Sequence, residues 1–327
     1  MNTLGRTTDS LMSRSHQSSF LFVLTLAALL PLAACATESP TLAARDRLEA
    51  KAKKSKKPAK KRRAGDEDEA SVARDGGPPK IHAISAILID SQTGKVLHAV
   101  NPDAQRAVAS TQKLMTALLV AEAGDLGRTV TVERSDTFAE PSKLDIEPGE
   151  TYLRGDLLKV LLVKSMNDVA RALARDNAGS VEAFARKMNA RAEKLGMTNT
   201  RFVNPNGLPA EGQHSTARDM SRLAMAAYKQ KAIRDIVCLK ELRWQHPDGR
   251  ISEFHNTNRV LSSLKYCNGM KTGYTAAAKF CLVSSAANNS KDVISVVLGD
   301  EKAFIWNDSH RLLQWGLKSD QGTADNR

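Results

Sequence analysis

The chain has 327 residues, a net charge of +12 and a hydrophobic content of 42%, with aromatic residues making up only 5%. That composition excludes a disordered chain and suits a mixed helix and sheet protein with enough apolar residues for a sizeable core. No internal repeat with a period of about 20 to 50 residues marks a solenoid or an array.

At the amino end, Arg6, Arg14 and His16 precede an apolar stretch over residues 20–32. It is too short to span a ~30 Å hydrocarbon layer and has the length of a secretion-signal core. The stretch closes on Leu32-Ala33-Ala34-Cys35, small residues running into a cysteine, which resembles a bacterial lipobox. On that reading residues 1–34 are removed, and Cys35 becomes a lipidated first residue that tethers an exported protein to a membrane. Ala36 after the cysteine, in place of aspartate, then favours the outer membrane of a host with two. The alternative is a plain Ala-x-Ala cleavage site beside an incidental cysteine.

Residues 45–63 carry eleven Lys or Arg against Asp46 and Glu49, so this block accounts for nine of the net positive charges. Like charges at this density repel one another and stay hydrated, which predicts a flexible spacer over residues 35–79; attraction to anionic lipid or cell-wall polymer is the alternative. Export excludes nucleic acid as the partner. Gly76-Gly77-Pro78-Pro79 breaks regular structure, and the folded domain is expected over residues 80–318, with 319–327 as a tail.

Within that domain, Ile84, Ala86, Leu88 and Asp90 alternate with Ser85, Ile87 and Ile89, and Ser91-Gln92-Thr93-Gly94 turns the chain into residues 95–100, which reads as a hairpin. A long helix is predicted to start at Ser110 and to bury Met115, Leu118, Leu119 and Ala121. Residues 153–166, 169–178, 180–195 and 217–228 show helical spacing, separated by Gly179, Gly196 and the Pro205-Asn206-Gly207 turn. Together they read as an all-helical subdomain over about residues 138–230. Residues 239–244, 269–274, 280–287 and 293–299 read as strands, the last two joined through Asn288-Asn289-Ser290-Lys291, and residues 303–317 return as a helix. A sheet drawn from both ends of the chain and split by helices gives two subdomains with a cleft between them.

Three peptides carry chemistry: Ser110-Thr111-Gln112-Lys113, Ser165-Met166-Asn167 and Lys271-Thr272-Gly273. On a helix, residues three apart share a face, so the Lys113 amine reaches the Ser110 hydroxyl. The second peptide adds a hydroxyl and an amide, and the third a cation that can hold a carboxylate. This is the equipment of serine acyl transfer without histidine, and it needs no cofactor and no metal. Each motif alone also has a structural reading: Ser110 as a helix cap, Ser165 and Asn167 as the end of one helix and the start of the next, Lys271 as a protective edge-strand charge. Ser-x-Asn and Lys-Thr-Gly occur once each in the chain, in the order the chemistry requires.

These residues, together with ASTQKLMT at 109–116, FVNPNGL at 202–208, STARD at 215–219 and CLVSS at 281–285, resemble the penicillin-recognising serine hydrolases, in particular the low-molecular-mass D-alanyl-D-alanine carboxypeptidases (penicillin-binding proteins, serine peptidase family S11). The resemblance spans residues 80–318. It implies an α+β sandwich of the DD-peptidase/β-lactamase type: a mostly antiparallel sheet with flanking helices, an all-helical subdomain, and the three motifs along the groove between them.

It also implies roles. Ser110 attacks the carbonyl between two D-alanines of a peptidoglycan stem peptide, Lys113 takes its proton, and Ser165 relays a proton to the leaving amine. Asn167 holds the substrate amide and Lys113, Lys271 and Thr272 bind the terminal carboxylate, Gly273 lets the strand approach closely, and the backbone N–H groups of Ser110 and Tyr274 form the oxyanion hole. β-Lactam antibiotics are then covalent inhibitors, turned over slowly because no Glu-x-x-x-Asn is present to activate a deacylating water. Closely related enzymes open cross-links instead of trimming ends, and the motifs fit either; a lipid-anchored wall-binding protein without turnover is a further alternative. Two positions depart from the family pattern: Lys279 stands where glycine is usual, and Asn268 where an acidic residue is usual. With Cys35 lipidated, Cys238, Cys267 and Cys281 remain, an odd number allowing one disulfide at most. Cys238 with Cys267 is the candidate pair, and Cys281, in an apolar strand, is expected to be a buried thiol.

Overall fold

The computed structural model describes residues 77–319; Cys35, the predicted signal and almost all of the basic spacer lie outside the described residues. A five-stranded antiparallel sheet organises the fold, in the order β2-β1-β9-β8-β7. β1 (Ser85–Asp90) and β2 (Val96–Val100) come from the start of the domain, and β7 (Cys267–Thr275), β8 (Lys279–Ala287) and β9 (Asp292–Asp300) from its end. The central strands are apolar almost without interruption because both faces are covered. Ile87 and Ile89 of β1, Val283 of β8 and Ile294 and Val296 of β9 join the larger core, while Ala86, Leu88, Leu282, Val293 and Val297 point into a smaller core on the other face.

The smaller core is closed by Leu312, Leu313 and Leu317 of the last helix. The larger is closed by a helical layer: α1 (Lys113–Glu122), α2 (Arg154–Val163), α3 (Asn167–Ala178), α4 (Val181–Lys194), α5 (Ala217–Lys229) and α6 (Lys231–Val237). A single-turn helix, α7 (Val260–Ser263), and the 14-residue α8 (Ile305–Lys318) complete the set, the latter being the helix over the smaller core. No helix among the described residues is long and apolar enough to cross a membrane.

Local chemistry explains several boundaries. α3 stops at Gly179, whose φ of 82° closes the helix in a conformation that costs glycine little. The Ser180 side chain then caps α4 by accepting from the Ala183 N–H, and Thr216 caps α5 by accepting from the Asp219 N–H. The Asp219 carboxylate also accepts from Asn199 N and Thr200 Oγ1, so the STARD peptide both starts a helix and ties down the preceding loop.

Four expectations are corrected. The helix predicted from Ser110 begins at Lys113; residues Ala109–Gln112 form a 3-10 turn, entered through Ala109 at φ 48°. The strand predicted at 239–244 is Glu241–Gln245 (β5), and it leaves the main sheet to pair with Ile251–His255 (β6), since a tight turn with His246 N donating to Arg250 O folds it onto its own neighbour. The region 138–230 is not wholly helical: Thr151–Leu153 (β4) pairs with Thr129–Thr131 (β3). Cys238 and Cys267 are free thiols and Cys281 is free and buried, so the candidate disulfide is not formed.

Lys279 has φ 60°. A side chain in that region costs about 1 kcal/mol or more, which glycine avoids. Lys279→Gly should therefore stabilise the protein by roughly 0.5–1 kcal/mol, read as a higher urea midpoint at unchanged slope.

Candidate active site

β7 is the edge strand of the sheet, so one side of its backbone is free of strand partners, and the groove runs along that side. The groove encloses about 580 Å³ and is lined by Ser110, Ser165, Asn167, Thr272, Gly273 and Tyr274, together with Pro141, Lys164, Leu208, Thr257, Phe280 and Trp306.

Lys113 is the first residue of α1 and is fully buried. Its Nζ lies 2.7 Å from Ser110 Oγ, 2.6 Å from Asn167 Oδ1 and 2.7 Å from the backbone O of Asn206. An amine in that position is pulled well below the usual lysine range, first by burial and then by the nearby Lys271; Asp168 opposes the shift. The neutral form fits its surroundings. It has two N–H donors for the two carbonyl oxygens and one lone pair for the Ser110 hydroxyl proton.

Ser110 is held from two sides by glycines. A Cβ on Gly273 would stand 2.8 Å from Ser110 N and 2.9 Å from Thr111 N, and one on Gly207 would stand 2.1 Å from Ala109 O. Both contacts are with backbone, which has no flexible end to move aside. Gly207 also has φ 85°. The turn that presents Ser110 is thus wedged between β7 and the loop at 204–208, and the Ser110 N–H sits against β7 one residue before Tyr274.

The second motif bridges two helices. Ser165, at φ 73°, lies in the link between α2 and α3, and its hydroxyl forms no hydrogen bond among the described residues, leaving it free in the groove. Asn167 begins α3, donates from Nδ2 to Pro141 O and from its backbone N to Ser142 O. Asp168, buried beside it, accepts from the N–H groups of Leu144, Asp145 and Ile146, so the loop forming this wall is stitched to the helix start.

Lys271 is fully buried, donates to Thr272 O, and has its pKa lowered to about 7 by burial. Thr272 Oγ1 donates to Thr257 Oγ1 at 2.7 Å. Tyr274 is 59% exposed, with its ring against Phe280. The structure therefore brings Ser110, Lys113 and Asn167 into direct contact, sets Ser165, Thr272, Gly273 and Tyr274 along one groove, and buries Lys271 near enough to act on Lys113.

Sequence reasoning assigned no role to the backbone O of Asn206 or to Gly207. The FVNPNGL peptide meets the site through backbone carbonyls, which residue types do not reveal: Pro205 O accepts from Thr116 Oγ1, Asn204 O from Gln112 Nε2, and Asn206 O from Lys113.

A family model for D-alanyl-D-alanine carboxypeptidases, peptidase S11, matches residues 72–302. The D-alanyl-D-alanine carboxypeptidase DacF of Bacillus subtilis is 37% identical over 222 residues, which are 66% of this chain and 57% of DacF. A D-alanyl-D-alanine endopeptidase of Pseudomonas aeruginosa is 35% identical over 246 residues, 73% of this chain and 78% of its own. Among solved structures, the D-alanyl-D-alanine carboxypeptidase of Mycobacterium tuberculosis H37Rv matches with a TM-score of 0.70 and 30% identity, covering 73% of this chain and 92% of that one. The chain spans 57% to 65% of the length of the first carboxypeptidase relatives it matches.

The lowered amine has a thermodynamic consequence. Lys271 in the folded protein loses its proton near pH 7, whereas in the unfolded chain it keeps it to about 10.4. Between those limits the unfolded state binds more protons, so folding stability rises with pH. Measured against Lys271→Met, which cancels the buried thiols and tyrosines common to both proteins, wild-type stability should climb steadily from about pH 7 to 10. A difference that stays flat over that range would show an unperturbed amine.

Proposed function

Because this chain belongs to the D-alanyl-D-alanine carboxypeptidase family of serine peptidases, S11, we propose that it hydrolyses the bond between the two terminal D-alanines of peptidoglycan stem peptides through an acyl-enzyme on Ser110. The observation that carries the reading is the buried Lys113 amine 2.7 Å from the Ser110 hydroxyl, with its pKa pulled down. A base must lie within hydrogen-bond reach of the proton it takes and give up its own proton readily; this amine is within reach, and burial and the nearby Lys271 draw its pKa well below the usual lysine range.

Ser110 Oγ attacks the carbonyl carbon of the penultimate D-alanine, and its proton passes to Lys113 Nζ. The backbone N–H groups of Ser110 and Tyr274 receive the oxyanion, each donor typically contributing about 3 kcal/mol. The C–N bond breaks, the leaving amine takes up a proton through the free Ser165 hydroxyl, and an ester remains on Ser110. Water attacks the ester, Lys113 accepts its proton, and the Ser110 hydroxyl is regenerated. Meanwhile Asn167 orients both Lys113 and the substrate amide, and protonated Lys271 with Thr272 Oγ1 holds the terminal carboxylate. Gly273 allows the extended peptide and the strand to close on each other.

β-Lactams acylate Ser110 by the same first step and leave slowly. The protein acts after export, anchored through a lipid on Cys35 at the periplasmic face of the outer membrane in a host with two membranes, with residues 35–79 as its spacer. Opening of cross-links is a second reading, favoured by the endopeptidase relative noted above. A binding protein without turnover gives no reason for a costly buried amine at bonding distance from a hydroxyl.

Fluorescent penicillin should label the wild type and leave Ser110→Ala unlabelled; equal labelling of both, or of neither, would remove the covalent mechanism. Mass analysis of digested muropeptides then separates loss of one D-alanine from opened dimers. The pH dependence of kcat/KM should show a limb that falls near pH 7 as Lys271 loses its proton. A guanidinium does not titrate there, so Lys271→Arg should push the falling limb to well above pH 9 at the cost of a slower rate.

A further inference from the structure

The two ends of the groove differ in chemistry. The oxyanion position lies at Ser110 and Tyr274, and the carboxylate site at Lys271 and Thr272, so along β7 the direction from Tyr274 back to Thr272 leads from the acyl half of a substrate to its departing half. On the acyl side Tyr274 stands against Phe280, a pair without charge. On the departing side stands Thr257, bonded to Thr272, and two cations flank it.

Lys164 follows α2 and lines the groove; the neighbouring Val163 O accepts from Thr257 N, which fixes the two segments side by side. Its Nζ stands 5.7 Å from the centre of the Phe254 ring. Arg259 lies two residues beyond Thr257 and is exposed, with its guanidinium 5.5 Å from the centre of the Trp306 ring, itself part of the groove wall. Among the described residues neither cation forms an ion pair with a carboxylate, whereas Arg154, Arg175, Arg191, Arg218 and Arg222 all do. Ring faces hold a cation in place without neutralising it. One departing D-alanine brings one carboxylate, which Lys271 already matches, so Lys164 and Arg259 are charge in excess of what that leaving group needs.

We propose that Lys164 and Arg259 form a cationic subsite for the departing half of the substrate, selecting leaving groups that carry further carboxylates: an acidic stem peptide whose amine is released when a cross-link is opened. This rests on the acyl-transfer reading above and decides within it which substrates are preferred.

The test uses the full chain and two synthetic cross-linked stem-peptide dimers, one with the carboxylates of the departing stem free and one with them amidated. Wild type should favour the free form about tenfold in kcat/KM, the size expected of two ion pairs at a solvent-exposed rim, and the preference should reside in KM. Lys164→Met with Arg259→Met should bring the ratio close to one, and Lys164→Arg with Arg259→Lys should restore it. Near-ultraviolet circular dichroism and thermal unfolding report whether the methionine variant is folded, and the charge-preserving variant keeps the test decisive if it is not. A ratio near one in wild type, or the same ratio in the methionine variant, overturns the subsite while leaving penicillin labelling of Ser110 intact. Failure of wild type both to label with penicillin and to cleave terminal D-alanine overturns the acyl-transfer reading, and the subsite with it.

Discussion

A lysine amine with no exposure to water is the constraint around which this protein is arranged. Removing an ammonium from water without partners costs many kcal/mol, and proteins relieve that cost by neutralising the group and satisfying its remaining hydrogen-bonding capacity. At Lys113 the three partners come from three separate stretches: the 3-10 turn at Ser110, the first residue of α3 at Asn167, and the loop at Asn206. Because one buried nitrogen needs all three, the turn, helix and loop are fixed relative to each other to within a hydrogen bond. The same requirement sets the amine against the Ser110 hydroxyl, so one set of contacts serves both the packing of the site and the chemistry proposed for it.

Positive-φ residues collect around that nitrogen. Ala109 precedes Ser110 at φ 48°, and Ser165 enters the groove at φ 73°. Non-glycine residues hold such conformations only when their surroundings over-determine them. Here the surroundings are the two glycine contacts that wedge the turn and the backbone bonds that anchor the α2 to α3 link. The arrangement keeps the Ser110 and Ser165 hydroxyls out of ordinary helical hydrogen bonding and directed into the groove.

The sheet contributes rigidity in one direction and access in the other. Its three inner strands, β1, β9 and β8, pair on both sides and the sheet is packed on both faces, while β7, like β2, keeps one edge free of strand partners. An open edge is ordinarily an aggregation hazard that proteins blunt with charge or cover. In this chain the edge faces the helical layer across the groove, which holds about 580 Å³ of open space beside β7. The small sheet of β5 and β6 supplies Phe254, the ring beneath Lys164, so the part of the chain least integrated in the main sheet sets the polarity of the groove rim.

Much of this was written in the sequence by itself. Helical periodicity located α2 to α5 because each buries one apolar face, and the β8 to β9 hairpin followed from two apolar runs around Asn288-Asn289-Ser290-Lys291. The three motifs, carrying side chains whose chemistry is the same in any fold, were legible by residue type and order. Hidden from it were features that belong to no side chain. The carbonyl of Asn206 accepts from Lys113 across 93 residues, and any residue type would supply that oxygen. The pairing of β5 with β6 instead of the main sheet, and the closeness of Lys164, Thr257 and Arg259, depend on which segments the packed helices bring together. Residue identity determines what chemistry a chain can perform; only tertiary packing decides which backbone atoms stand beside it, because hydrogen bonds and burial act over a few ångströms of space regardless of separation along the chain.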